Sequence, residues 1–178
     1  MSKEHLKEFA QKIKLVAFDV DGVLTDGSLT FDENGIEYKT FNAKDGQGIV
    51  MLNKAGFVTA IITARQNGTV RHRFNNLGMT KLFEGQKNKL AALDELCEEF
   101  NVTYDEIAYM GDDLPDICVL EKVALGACPA DAVNEVLDCA KFICTKNGGR
   151  GAVRELCDFI LYTQDKHPFT LEKIQAGV

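Results

Sequence analysis

The chain has 178 residues, 46% of them hydrophobic and 26% charged, which suits one compact domain with a sizeable core and is too short for two of ordinary size. Its 27 acidic against 20 basic side chains give a formal charge of −7, which argues against general binding to nucleic acid or to an anionic membrane. No apolar run is long enough to cross a bilayer, and the charged, amphipathic segment 1–14 lacks a signal peptide's continuous apolar stretch, so a cytoplasmic protein is expected.

Residues 15–18 (LVAF) form a nearly unbroken apolar run, typical of a strand buried on both faces of a parallel sheet. The segment 28–42 (SLTFDENGIEYKTFN) is strand-like on both sides of Asn34-Gly35, a strong hairpin signal. A helix is predicted to open at Asp45, carry Ile49, Val50 and Leu52, and stop at Gly56. A second strand follows at 57–62 (FVTAII), then a helix with Val70, Phe74 and Leu77 that stops at Gly78. Asn88 can cap the next helix, which turns Leu90, Leu93, Leu96, Cys97 and Phe100 inward and Asp94, Glu95, Glu98 and Glu99 outward. Further strands are predicted at 107–110, 123–125 and 142–144, and the tail beyond Lys166 has Phe169, Leu171 and Ile174 with which to dock.

This alternation predicts an α/β fold: a Rossmann-like, three-layer parallel sheet with helices on both faces, plus a protruding hairpin. One domain is expected to cover 1–178, with its functional groups at the carboxyl ends of the strands. The six cysteines form no C-x-x-C pair and most sit among apolar neighbours, so they read as small core residues in a reducing compartment. His5, His72 and His167 are far apart and give a zinc site no support.

Chemistry concentrates where apolar strands run into acids. The first strand leads into Asp19-Val20-Asp21-Gly22, and another leads into Gly111-Asp112-Asp113-Leu114-Pro115-Asp116. Buried carboxylates this close are costly unless paired, hydrogen-bonded or bound to a cation, and a hard ion such as magnesium suits oxygen ligands. A strand ending in a turn would explain the first cluster, and a capped helix start would explain the second. Both bland readings would have to hold independently. Thr63 ends a third strand, where its hydroxyl and backbone amide are placed to donate to a phosphate oxygen. Lys89 stands near a helix start, where an anion site would use a cation and where a solvated lysine is the bland alternative.

In this order, DVDGVLTD, IIT, Lys89 and GDDLPD resemble the haloacid dehalogenase-like phosphohydrolases. The resemblance implies that Asp19 is the nucleophile and that Asp21 protonates the leaving oxygen and later activates water. It implies magnesium held by Asp19, the backbone carbonyl of Asp21 and Asp112, with Asp113 and Asp116 supporting from behind and Thr63 and Lys89 holding phosphate oxygens. To act as an acid, Asp21 is expected to be kept protonated by neighbouring carboxylates. No insertion after either of the first two motifs is long enough for a cap domain, and the apolar hairpin residues Leu29, Phe31, Ile36, Tyr38 and Phe41 point to a homo-oligomer, a tetramer by resemblance.

Within the family, FNAKDGQGI, TARQ, EGQKNK and GGRGAVREL are similar to the subfamily acting on 3-deoxy-D-manno-octulosonate 8-phosphate, a sugar acid phosphate used for lipopolysaccharide. Carried over by position, Asn42, Ala43, Lys44, Asp45, Gly46, Arg65, Arg73 and Lys89 would contact that ligand, and Arg150 would approach a neighbouring subunit's site. Ala64 stands where many relatives have glycine. An N-acylneuraminate 9-phosphate phosphatase is the alternative within enzymes. A receiver-like, magnesium-binding regulator is the alternative of another class; it differs in storing phosphate and in placing its acceptor on a middle strand.

Overall fold

The computed structural model describes residues 3–168. Six strands form one parallel sheet in the order β5-β4-β1-β6-β7-β8: β1 (Leu15–Phe18), β4 (Val58–Ile62), β5 (Lys81–Phe83), β6 (Ile107–Met110), β7 (Leu125–Cys128) and β8 (Phe142–Ile143). The two-stranded hairpin consists of β2 (Thr30–Phe31) and β3 (Glu37–Tyr38). The larger helices are α1 (Lys3–Ala10), α2 (Ala43–Lys54), α3 (Gly68–Leu77), α4 (Lys89–Phe100) and α7 (Ala152–Thr163), with the short α5 (Ile117–Leu120) and α6 (Asn134–Cys139) between them.

Strand β1 shows how the layers arise. All four of its side chains are buried because alternate residues face opposite layers. Val16 and Phe18 join a core with residues of α1, α2, α3 and α7, whereas Leu15 and Ala17 join one with residues of α4, α5 and α6. The chain leaves β1 toward β4 and β5 on one side and later returns to build β6, β7 and β8 on the other. The carboxyl end of β1 therefore sits at the point where strand order reverses, the usual place for a crevice in such sheets.

Several expectations need correction. β7 begins at Leu125 and not at 123, because the Val123 amide still closes the preceding turn on Val119 O (3.1 Å) and the Ala124 amide donates to Tyr104 O (2.9 Å). Helix α2 opens at Ala43, since the Asn42 side chain caps it by accepting from the Lys44 amide at 2.8 Å. β5 was not anticipated from sequence. In α4 the buried residues are Lys89, Ala92, Leu93 and Leu96, while Leu90, Cys97 and Phe100 are half-buried. Cys128, Cys144 and Cys157 are buried, but Cys97 and Cys139 are only partly so and Cys118 is exposed; all six are free thiols.

The hairpin is shorter than its sequence suggests. Gly35 takes a φ of 78°, and the Asp32 carboxylate closes the turn on the amides of Asn34 (2.9 Å) and Ile36 (2.8 Å). Leu29, Phe31, Ile36 and Tyr38 are each more than half exposed, whereas Phe41 packs onto the core. Among the described residues no helix is long and apolar enough to cross a membrane. Phe169, Leu171 and Ile174 lie outside the described residues.

Candidate active site

Strands β4, β1 and β6 are neighbours, so the residues that follow them meet above one edge of the sheet. Asp19 extends the β1 ladder by donating its amide to Met110 O at 3.0 Å. The chain must then turn at once, and Gly22 makes this possible with a φ of 79°. A Cβ on Gly22 would lie 1.9 Å from Asp112 Oδ2, so the two acidic loops touch only because this residue has no side chain. A cavity of about 260 Å³ opens there, lined by Asp19, Asp21, Thr63, Arg65, Lys89 and Asp112 among others.

Lys89 organises its floor. Its side chain is 3% exposed, and Nζ lies 2.6 Å from Asp116 Oδ1, 2.9 Å from Asp19 Oδ2 and 3.3 Å from the Tyr109 hydroxyl. The solvated-lysine reading is thereby ruled out. Asp116 is fully buried and saturated: Oδ1 also accepts from Tyr109 OH at 2.5 Å, and Oδ2 accepts the amides of Asp112 (3.0 Å) and Asp113 (3.2 Å). Asp113 caps the short turn by accepting from the Leu114 amide at 2.7 Å. The capping explanation of this acidic cluster is thus correct for Asp113 and Asp116, and leaves Asp112 over.

Asp112 has an unusual position. Its Oδ1 is buried and has no hydrogen-bond partner among the described residues. Oxygens of Asp19, Asp112 and Asp116 lie within 4.8 Å of one another, yet both oxygens of Asp116 are already engaged. Asp19 and Asp112 are therefore the carboxylates left to hold a cation, and an orphaned buried oxygen is what a missing ligand bond leaves.

The electrostatics agree. Burial, followed by repulsion from Asp19 and Asp116, pushes the Asp112 carboxyl up to about 7. Burial also pushes Asp19 up to about 6, against the opposing pull of Lys89. Burial pulls the Lys89 ammonium down, but Asp19 and Asp116 together outweigh it and its pKa rises. One lysine shared between two carboxylates cannot fully compensate either. Without a further positive charge this cluster resists being fully ionised.

A family model for haloacid dehalogenase-like hydrolases matches residues 78–156. The chain is 44% identical over 157 residues to the 3-deoxy-D-manno-octulosonate 8-phosphate phosphatase KdsC of Escherichia coli (strain K12), covering 88% of this chain and 84% of that protein. It belongs to the haloacid dehalogenase-like hydrolases. Among solved structures, a probable YrbI family phosphatase from Pseudomonas syringae superposes with a TM-score of 0.92 at 45% identity, covering 98% of this chain and 97% of that one. The 3-deoxy-D-manno-octulosonate 8-phosphate phosphatase of Moraxella catarrhalis, solved with a magnesium ion, a phosphate ion and a KDO molecule, gives 0.93 at 35% identity, with 99% of each chain covered.

For a haloacid dehalogenase-like hydrolase, two details of this site depart from expectation. The Thr63 amide is spent on the ladder, donating to Phe83 O at 2.9 Å, so only its hydroxyl remains for a ligand. Asp21 is in direct contact with a cation where neighbouring carboxylates were expected to act on it: Lys39 Nζ bonds its Oδ1, and Arg65 Nη1 lies 3.9 Å from its Oδ2. Ala64 has no left-handed φ, so alanine in place of glycine brings no backbone strain.

The remaining predicted contacts lie outside this cavity. The Asp45 carboxylate accepts the amides of Gly151 (3.2 Å) and Arg154 (2.9 Å), capping α7 from a distant part of the chain. Arg73 braces the turn before α2, donating to Asn42 O at 3.3 Å, and a Cβ on Gly46 would strike it at 2.1 Å. Ala43 opens α2, and Lys44 lines a separate hollow with Arg150, whose guanidinium pairs with Asp26 at 2.9 Å. Sequence reasoning missed Lys39, Glu37 and Tyr109. Tyr109 sat inside an apolar run, and only the alternation of Glu37-Tyr38-Lys39 could have placed the two charges on one face.

Proposed function

We propose that this chain is a magnesium-dependent phosphatase that hydrolyses 3-deoxy-D-manno-octulosonate 8-phosphate through an aspartyl-phosphate on Asp19. The observation that carries the reading is the placement of Asp19 beside the buried Lys89 ammonium, with a carboxylate oxygen within 4.8 Å of one on Asp112, the residue that carries an orphaned oxygen. The choice of ester is supported by likeness to the Moraxella catarrhalis enzyme solved with magnesium, phosphate and KDO.

In this reading Asp19 and Asp112, with the backbone carbonyl of Asp21, hold magnesium, which when bound supplies the positive charge that lets an anionic carboxylate approach an anionic ester. Asp19 attacks phosphorus as the bond from phosphorus to the sugar oxygen breaks, and Asp21 gives that oxygen a proton. Asp21 then takes a proton from water, whose oxygen attacks the phosphoryl group, releasing phosphate and restoring the Asp19 carboxylate. Lys89 and the Thr63 hydroxyl steady the non-bridging oxygens. Asp116 and Tyr109 keep Lys89 in place, and Asp113 orders the turn below. Arg65, at the cavity mouth, is suited to the sugar acid's carboxylate.

The same reading takes residues 1–178 as one domain working in the cytoplasm as a homo-oligomer, a tetramer by family resemblance. The exposed apolar hairpin supports assembly, and a facing copy is the route by which Lys44 and its neighbours in 42–46 would reach a ligand. The test is phosphate release by purified protein from this ester and from N-acylneuraminate 9-phosphate, with magnesium and with chelator. Magnesium-dependent turnover favouring the octulosonate ester is expected. A stable phosphoprotein without turnover would contradict it.

A further inference from the structure

The hairpin has a buried polar foot beneath its exposed apolar face. Glu37 and Lys39 flank Tyr38, and strand alternation sends both inward while Tyr38 faces solvent. The Lys39 side chain is only 1% exposed, unusual for a residue that loses about 2 kcal/mol of rotamer freedom when fixed. A buried ammonium needs anionic partners. Lys39 has two: Asp21 Oδ1, and Glu37 Oε1 at 2.9 Å.

Glu37 is itself gripped from elsewhere. Arg65 Nη1 lies 3.3 Å from its Oε1, and Asn67 Nδ2 donates to its Oε2 at 3.0 Å. Asn67 in turn caps α3 by accepting from the Thr69 amide at 2.8 Å. The Lys39 ammonium is thus fixed by groups on the hairpin and on the β4–α3 loop, and its remaining contact is the carboxylate assigned to proton transfer.

We propose that Lys39 is a positioning residue for Asp21: held by Glu37, it fixes one oxygen of that carboxyl group so that the other serves the leaving oxygen. This rests on the phosphatase reading above. Oδ1 is committed to Lys39, while Oδ2 has Arg65 Nη1 no nearer than 3.9 Å and is the oxygen less tightly held. The hairpin, otherwise outside the cavity, is thereby tied to the carboxylate assigned to proton transfer.

The experiment compares two esters. A sugar oxygen leaves poorly unless protonated, whereas p-nitrophenolate leaves without a proton, and kcat/KM reports the step in which the ester bond breaks. Lys39→Met is expected to lower kcat/KM for the octulosonate ester about 10–100-fold, part of what a general acid contributes, and to lower that for p-nitrophenyl phosphate less than about threefold. Lys39→Arg should recover most of the loss, and Glu37→Gln should show the same split more weakly even if Lys39→Met folds poorly. In an Asp21→Asn background, Lys39→Met should cost nothing further, as groups acting as one unit behave. Equal loss on both esters, full additivity with Asp21→Asn, or no loss would overturn the proposal. A wild-type protein that hydrolyses neither ester with magnesium would refute the phosphatase reading itself, and the proposal with it.

Discussion

The floor of the cavity and the hairpin beside it are built on opposite principles. At the ends of β1 and β6, charged groups are buried among apolar layers and held by one another: Lys89 serves two carboxylates, and Asp116 takes four donors. The hairpin exposes its apolar side chains and is held by buried charges at its foot. The contrast teaches that burial here follows function more closely than polarity does. Where the chain spends desolvation energy, it places the groups proposed to react; where it leaves apolar surface uncovered, it has the face proposed for assembly.

The sharpest way to break this comparison is Asp19→Asn. It should reduce turnover by at least about 10³-fold, in the range seen when a nucleophile is removed. The melting temperature should stay within about 3 °C of wild type, since the amide keeps the shape and relieves repulsion in the cluster. Full activity would remove Asp19 from the mechanism. Lys89→Met should act on both counts, because it leaves Asp116 buried without its cation. A stability loss of about 3 kcal/mol by denaturant titration is expected, with turnover down at least about 100-fold. Loss of activity alone would show that the floor is less strained than its burial suggests.

Acidity sharpens the comparison further. Asp112 is held near 7 and Asp19 near 6, first of all by burial, whereas in the unfolded chain both titrate at about 3.9. Between pH ~4 and ~7 the folded, cation-free protein therefore holds more protons than the unfolded chain, and its stability falls as pH rises through that window. Magnesium competes with those protons, so the rise in melting temperature on adding it should grow across the same window, reaching several degrees at about a hundredfold excess over its Kd. A gain independent of pH would place the ion elsewhere. The smallest effect belongs to the hairpin face: Phe31→Ser with Ile36→Ser should change subunit stability by less than about 0.5 kcal/mol yet lower the assembly mass in sedimentation. An unchanged mass would leave that face without a role in assembly.

The sheet was legible because β1, β4 and β6 are apolar on both faces, so their ends, and the acids there, stand out in sequence. β5 was not, because an edge strand of three half-buried residues opening on a lysine has no pattern of its own. Asp45 carries the same residue type as the reactive acids, and only a contact across more than a hundred positions reveals it as a helix cap. Lys89 was legible as a position but not in its surroundings, since the sequence does not say that Asp116 turns back beneath it. The cations around Asp21 were invisible for the same reason: they come from the hairpin and the β4–α3 loop, brought together only by the fold.

The central claim is that a phosphoryl group passes through the carboxylate at the end of β1. It is tested most directly by acid-quenching Asp21→Asn protein during reaction with magnesium and p-nitrophenyl phosphate, whose leaving group needs no proton, then locating the phosphoryl mass by peptide mass spectrometry. A label on Asp19, absent when chelator is present, is the predicted result. Turnover that leaves Asp19 unlabelled, or a label carried by another residue, would contradict it.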